Sequence, residues 1–224
     1  MKVVIIAAAG ISSRFNEGIP KEQERNKIIF YEEDWRDTLL FHLLQKSMSV
    51  DWFIIVGGNQ FNELKKYCEL LPIEYRRKIF LVFNEYYAEF SSGYSLYLGI
   101  KEAFEKIKNI KEILFIEGDL DVDEISLKNV INTNGNILTY CKEPIFSKKS
   151  VVLYKNDKGN YRYVFNSEHG FLKINDFFSE IYNSGQIWKF SEINKLKFAS
   201  EKFYEENCSG TNLGIIQNYI ELCS

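Results

Sequence analysis

Arg14 and Lys21 are the residues whose surroundings point most directly to chemistry. Arg14 closes a run of mostly small residues, Ala8-Ala9-Gly10-Ile11-Ser12-Ser13, and Pro20-Lys21 follows six residues later. Small side chains let a backbone pass close to a ligand, and its exposed N–H groups can cradle phosphate oxygens. The Arg14 fork and the Lys21 ammonium add positive charge for the same phosphates. Together they are the equipment for binding a nucleoside triphosphate. Neither GxxxxGK[ST] nor a clean GxGxxG is present, so the loop is not one of the commoner nucleotide motifs. The plainer alternative is an ordinary strand-to-loop turn with solvated charges.

Two further clusters carry chemical potential. In Phe115-Ile116-Glu117-Gly118-Asp119-Leu120-Asp121-Val122-Asp123 an apolar run ends in carboxylates. Such an ending suits Mg²⁺, which takes one or two protein carboxylates plus substrate phosphates. Asp119 is the first choice as ligand, with Glu117 and Asp121 behind it; Asp121 or Asp123 can instead cap a helix starting near Glu124. The stretch from Phe83 to Leu96 is rich in aromatic and hydroxyl groups, able to pack a base or read its edge, with Ser91 or Ser92 as a competing helix cap.

The elements that must position these clusters are legible in the apolar pattern. Val3–Ala8, Trp52–Val56, Ile79–Phe83 and Glu112–Ile116 read as strands, the continuous runs among them as strands buried on both faces. Leu40, Leu43, Leu44 and Met48; Phe61, Leu64, Cys68 and Leu71; and Leu96, Ile100, Phe104 and Ile107 recur at helical spacing between them. Alternating β and α units predict a parallel sheet with helices on both faces and a ligand beyond the carboxyl ends of the strands. The three clusters fall at those ends. Further on, Asn136–Tyr140 and Ser150–Tyr154 read as strands, Asn156–Asn160 as a turn, and Tyr161–Phe165 as the returning arm of a hairpin. Phe177, Phe178, Ile181 and Tyr182 suggest a helix, and Leu213–Leu222 a last one. One α/β domain over 1–224 is expected, with residues 1–125 binding nucleotide and a mixed half, 126–224, binding the acceptor.

Composition narrows the classes. The chain has 224 residues, 46% hydrophobic and 26% charged, enough for a real core. A net charge of −3 argues against a nucleic-acid binder. No apolar run approaches a membrane span, so no membrane partner is expected. The four cysteines, Cys68, Cys141, Cys208 and Cys223, form no zinc spacing and read as reduced thiols of a cytoplasmic protein. With only His42 and His169, a histidine-based triad or multi-histidine metal site is disfavoured. His42 reads as structural; His169, in a turn-like segment, as a contact near the acceptor.

The three clusters, in this order, resemble the nucleotidyltransferase family with the sugar-nucleotide transferase fold, whose opening reads roughly LAAGxGxRxxxxxPK. Here the run is Ala7 to Arg14, then Pro20-Lys21, with Ser12 replacing the second glycine. Val82-Phe83-Asn84-Glu85-Tyr86-Tyr87-Ala88, followed by Tyr94-Ser95-Leu96-Tyr97-Leu98, is similar to a segment of bacterial phosphocholine cytidylyltransferases. The likeness covers residues 1–125 and thins afterwards. It implies a Rossmann-like nucleotidyltransferase domain with a mostly parallel central sheet flanked by helices. It also implies that Arg14 and Lys21 bind triphosphate, with Lys27 as a rival to Lys21. Asp119 would bind Mg²⁺, Gly57, Gly58 and Ser92 would lie near the base, and the loop of Ala8 to Ser13 would cradle the phosphates. The second metal ligand would fall at Asn212, where the family carries an acidic residue. On the acceptor side, Trp188, Tyr140 and Tyr163 are candidates for an aromatic cage around a quaternary ammonium, and Tyr94 is a further acceptor-binding residue. Lys142 and Arg162 suggest instead an acceptor carrying a carboxylate or extra phosphate.

The activity so implied is transfer of CMP from MgCTP to a small phosphorylated acceptor, with release of pyrophosphate. The acceptor would be L-glutamine phosphate or phosphocholine-like, serving surface or capsular polysaccharide modification; the asparagine-, lysine- and isoleucine-rich composition resembles that of low-GC bacteria. Three rivals stand beside it. They are a sugar-1-phosphate nucleotidylyltransferase, a glycosyltransferase using Asp119-Leu120-Asp121 as a DxD, and a non-catalytic CTP-binding regulator lacking the second ligand. The aromatic-rich C-terminal half leaves room for a homodimer surface.

Overall fold

Strands with no polar face must be covered on both sides, and that requirement organises the molecule. The computed structural model describes residues 1–146, 150–165 and 172–224. Strands β1 (Lys2–Ala8), β2 (Trp52–Gly57), β3 (Ile79–Phe83) and β4 (Glu112–Glu117) run parallel in the order β3-β2-β1-β4. Side chains alternate across a strand, so β1 feeds two cores. Val4 and Ile6 pack with Leu40, Leu44 and Leu64 on one face; Val3 and Ile5 pack with Leu96, Ile100 and Ile215 on the other.

The covering helices are α1 (Leu39–Lys46), α2 (Phe61–Leu70), the single turn α3 (Ile73–Arg76), α4 (Ser92–Lys106) and α5 (Glu124–Asn132). Helix starts are marked where side chains replace missing backbone partners. Thr38 Oγ1 accepts from Phe41 N, and Asp123 accepts from Ser126 N at 2.8 Å, the cap expected of Asp123. Ser91 occupies the cap position of α4, but its hydroxyl makes no capping bond.

The second half completes the sheet with β5 (Ile137–Cys141), β6 (Val152–Asn156), β7 (Tyr161–Val164) and β8 (Phe178–Phe190), then α6 (Ile193–Asn207) and α7 (Asn212–Cys223). β6 and β7 form the expected hairpin. The helix expected at Phe177–Tyr182 is instead the start of the 13-residue β8. Its apolar residues are not a buried helical stripe: Phe177 is 85% exposed, and Phe178 and Ile181 are also exposed.

β8 is antiparallel to every strand it touches. Lys189 pairs with both Leu114 and Ile137, and Asn183 with both Cys141 and Val152. β4 and β6 therefore share one edge of β8 while β5 takes the other. Between the last β6 partner and the first β4 partner lie Ser184, Gly185 and Gln186, where the β5 register also slips. Gln186 has φ +53°, in the left-handed region. The result is a mixed α/β Rossmann-like fold, a central sheet with flanking helices. No helix among the described residues is long and apolar enough to cross a membrane.

Candidate active site

The loop after β1 is built by its own polar side chains. Asn16 is buried; its Nδ2 donates to Ser12 O and Arg25 O, and its Oδ1 accepts from Arg25 N. Asn26, also buried, donates to Asn59 O and accepts from Ile28 N. Ser12 has φ +54°, the conformation glycine adopts freely, at the position where the resembling family has glycine. Its hydroxyl accepts a long bond, 3.4 Å, from Lys27 N. The loop after β2 braces this one, Gln60 Nε2 donating to Glu24 O at 2.6 Å.

Gly118 explains how β4 delivers its carboxylates. A Cβ there would lie 2.3 Å from Ala7 O, so only glycine lets the chain cross the end of β1, where Gly118 N donates to that same carbonyl. Glu117 and Asp119 then stand on either side of the crossing. Asp119 Oδ2 is held by Lys27 Nζ at 2.5 Å. Glu117 Oε1 accepts from Asn212 Nδ2, at the start of α7. Burial pushes the Glu117 carboxyl up to about 7; the nearby Asp119 adds to this, against the smaller pull of Asn212 and Lys27.

Two cavities meet at these carboxylates. The first, about 270 Å³, is lined by Ala9, Gly10, Ile11, Ser12 and Lys27, and across from them by Asn84, Tyr87 and Ser95. The second, about 340 Å³, is lined by Arg14, Gln186, Trp188, Thr211 and Asn212. Ser91, Ser92, Glu117 and Asp119 line both. Ser92 Oγ accepts from Asn212 N at 3.1 Å, tying the starts of α4 and α7 together. A third cavity, about 810 Å³, adjoins the second through Leu120, Val151 and Gln186.

The expected site residues distribute unevenly. Gly10, Ile11 and Ser12 line the first cavity with Ala9, while Arg14 faces the second. Ala8 is buried at the end of β1, and Ser13 is exposed on the loop. Lys21 sits exposed on a 3-10 turn, Lys21–Gln23, and lines neither cavity, whereas Lys27 does line the first. Gly57 and Gly58 are buried and line neither; Gly57 lies against Leu64 and Phe61, and Gly58 behind Tyr87 and Ala9 of the first cavity. Asp121 pairs with Lys46 at 2.8 Å and borders the third cavity, so it does not join Asp119 as the second carboxylate of a DxD.

The acceptor candidates do not converge. Trp188 borders the second cavity, but its ring stacks on Phe115 and its Nε1 donates to Tyr163 Oη at 2.8 Å. Tyr140 and Lys142 border the third cavity, Tyr140 packed on Tyr182. Tyr94 is buried among Phe90, Tyr97 and Tyr204 and donates to Glu85 at 3.1 Å. Arg162 pairs with Glu221 at 2.5 Å. No aromatic cage forms among these rings. His42 is half-buried on α1, and His169 lies outside the described residues. Asn16, Asn26 and Gln186 were not expected at the site; a buried asparagine inside a polar loop leaves no periodic signal.

Among the described residues no three His, Cys, Asp or Glu side chains gather around one point. The oxygen donors that do gather, Glu117 and Asp119 with Asn212 beside them, fit a cation that keeps waters and substrate oxygens. Mg²⁺ has that habit, and its charge would offset the burial and, behind it, the Asp119 repulsion that raise the Glu117 carboxyl.

A family model described as Domain of unknown function (DUF6564) matches residues 23–224. No curated protein matches the chain. Among solved structures, the chain is similar to the inositol-1-phosphate CTP transferase from T. maritima. Identity is 12%, over 99% of this chain and 82% of that one, with a TM-score of 0.67. It is similar to a UDP-glucose pyrophosphorylase complexed with UDP-glucose at 13% identity, over 99% and 96% of the two chains, with a TM-score of 0.62. A nucleotidyl transferase from Methanothermobacter is 15% identical over 100% and 83%, with a TM-score of 0.57. At these identities the likeness is one of fold: the α/β sheet and flanking helices match nucleotidyltransferase-type structures.

Proposed function

The chain belongs to the DUF6564 family, and we propose from its site that it is a nucleotidyltransferase, moving CMP from CTP to a small phosphorylated acceptor. The observation that carries the reading is the meeting of two cavities at Glu117 and Asp119, with Lys27 on the wall of one and Arg14 on the wall of the other. A transferase needs two substrate compartments sharing one reacting centre, and cations where phosphate charge gathers. The choice of CTP rests on the resemblance of residues 1–125, as does an acceptor of the L-glutamine phosphate or phosphocholine kind.

In this reading the acceptor's phosphate oxygen attacks the α-phosphorus in line. An O–P bond forms, the bond to the β-phosphate oxygen breaks, and pyrophosphate leaves. The attacking phosphate is already ionised, so no protein base is required. Lys27 neutralises charge on the triphosphate, and Arg14 holds the entering phosphate close to it. Asp119, Glu117 and Asn212 would hold Mg²⁺, which when bound supplies charge neutralisation at the phosphates. The small-residue backbone from Ala9 to Ser12 lets the triphosphate lie close.

A second reading has its own observation. Asn212 stands where the resembling family has an acid, and its amide nitrogen donates to Glu117, leaving one neutral oxygen where the family has a charge. A regulator that binds CTP without turning it over would have that arrangement. Pyrophosphate release, measured with Mg²⁺, each nucleoside triphosphate and a panel of phosphomonoesters, separates the two. Release with CTP and one acceptor supports the transferase. CTP binding with silence across the panel favours the regulator, and absence of CTP binding removes both.

A further inference from the structure

Gln186 is held in a costly conformation at the junction of two cavities. A non-glycine residue in the left-handed region costs roughly 1–2 kcal/mol, and such residues persist where their surroundings over-determine them. Those surroundings are specific. Ser184 Oγ accepts from Gln186 N at 3.2 Å. Thr139 Oγ1 donates to Ile187 O and accepts from Ile187 N, clamping the next residue. A Cβ on Gly185 would lie 2.7 Å from that same hydroxyl, so the bulge closes only around glycine. The bulge sits where β8 leaves β6 and has not yet reached β4, the one stretch of this edge facing the cavities instead of a strand. Gln186 borders both the 340 Å³ and the 810 Å³ cavities, and no described residue hydrogen-bonds its carboxamide.

The larger cavity also has a chemical bias. Lys142 is the cationic side chain among the described residues that line it, against Asp121, Asp123 and Glu143. Asp121 is spent on Lys46 and Asp123 on the start of α5. Among the described residues an anionic tail finds one lysine against three carboxylates, and a quaternary ammonium finds no aromatic cage. Neutral hydroxyl and amide groups match what the wall offers.

We infer that Gln186 is the residue that selects the acceptor. Its carboxamide reads a neutral, hydroxyl- or amide-bearing tail in the 810 Å³ cavity while the acceptor's phosphate lies beside Arg14. The inference rests on the two-substrate reading above, and it departs from the acceptor that the resemblance implies, putting a neutral tail in place of a charged one.

The test is titration calorimetry of the purified protein with four phosphomonoesters: glucose 1-phosphate, glycerol 3-phosphate, phosphocholine and 3-phosphoglycerate. The neutral pair is expected to bind more tightly than the cationic and the anionic one. Gln186→Leu keeps the strained backbone and removes the carboxamide; it should weaken the neutral pair about tenfold and leave CTP affinity unchanged. Gln186→Gly removes strain and carboxamide together; it should lose the same affinity with a melting temperature no lower than the wild type's. Preference for phosphocholine or 3-phosphoglycerate, failure of all four to bind, or unchanged binding in both variants overturns the inference. Binding of the neutral pair that Gln186→Leu weakens, with no pyrophosphate from any nucleoside triphosphate, removes the transferase reading and leaves Gln186 as a ligand-reading residue.

Discussion

If the chain is the transferase proposed above, replacing Lys27 by Met should remove turnover without unfolding the protein. The Lys27–Asp119 pair is short, 2.5 Å, but its side chains are 30% and 42% exposed. A pair so open to solvent contributes no more than about 1 kcal/mol to stability. The urea midpoint should therefore move little. Turnover is a different matter, because an ammonium at a triphosphate acts on charge within a partly dry cavity. Removing one such donor typically costs about 10²–10³ in rate, some 2.7–4 kcal/mol at the transition state. Lys21→Met is the control, since Lys21 is exposed and lines neither cavity; it should stay within about threefold of wild type, a solvated charge contributing little. Steady-state pyrophosphate release and urea unfolding of both variants form the assay. The reasoning is refuted if Lys21→Met carries the loss while Lys27→Met keeps its rate. It is equally refuted if Lys27→Met loses activity in step with more than about 2 kcal/mol of stability, a change too large for an exposed pair.

Other expectations follow from the same geometry. Lys189 is almost wholly buried and donates to Val130 O, Ile131 O and Thr133 O at the end of α5, with Glu112 Oε2 at 3.0 Å; Lys189→Met should cost about 3 kcal/mol, seen as a lower urea midpoint at constant slope, whereas Lys2→Met, at the exposed rim of the same cluster, should cost under about 1 kcal/mol. Ser12→Gly should raise the melting temperature, because a strain of roughly 1 kcal/mol outweighs one long hydrogen bond; a lower melting temperature would count against the strain. Glu117, ordinarily near 4.5 and raised to about 7, is predicted to make the metal-free protein less stable as pH rises between those values, because the unfolded chain gives up its proton first. The fall is at most about 3 kcal/mol, is complete above pH 7, and should be absent from Glu117→Gln and flattened by Mg²⁺. Asp119→Asn should abolish pyrophosphate release while Asp121→Asn, which only frees Lys46, leaves it nearly intact; equal losses would restore the DxD pairing.

The first half of the fold was legible because its strands are buried on both faces, so Val3–Ala8 and Trp52–Val56 read as unbroken apolar runs. Helical spacing was likewise informative where it reflected burial, as at Leu96 and Ile100. It misled at Phe177–Tyr182, where the same spacing falls on exposed residues and a long antiparallel strand wins through pairing with β6. α6 was not expected, because its buried residues Leu196, Ala199 and Phe203 are diluted by the charged residues between them. At the site, Asp119 was marked by its place after a strand. The lysine beside it stood only as a rival to Lys21, because the path from Arg14 to Ile28 is fixed by Asn16 and Asn26 through hydrogen bonds that no periodicity encodes. The acceptor side was least legible, since the packing of Trp188 on Phe115, of Tyr140 on Tyr182 and the Arg162–Glu221 pair become visible only in the folded chain.

The position of β8 has a consequence for how the chain comes into being. Ile113 of β4 pairs with Phe190, 77 residues later, and Phe115 lies under Trp188. During synthesis at about 5–20 residues per second, β4 leaves the ribosome roughly 4–15 s before the strand that seals it. For that interval a parallel sheet already able to assemble presents an open apolar edge, inviting the wrong strand. Expression temperature, which sets how long that edge waits, should therefore govern the soluble yield of this protein more than its final stability does.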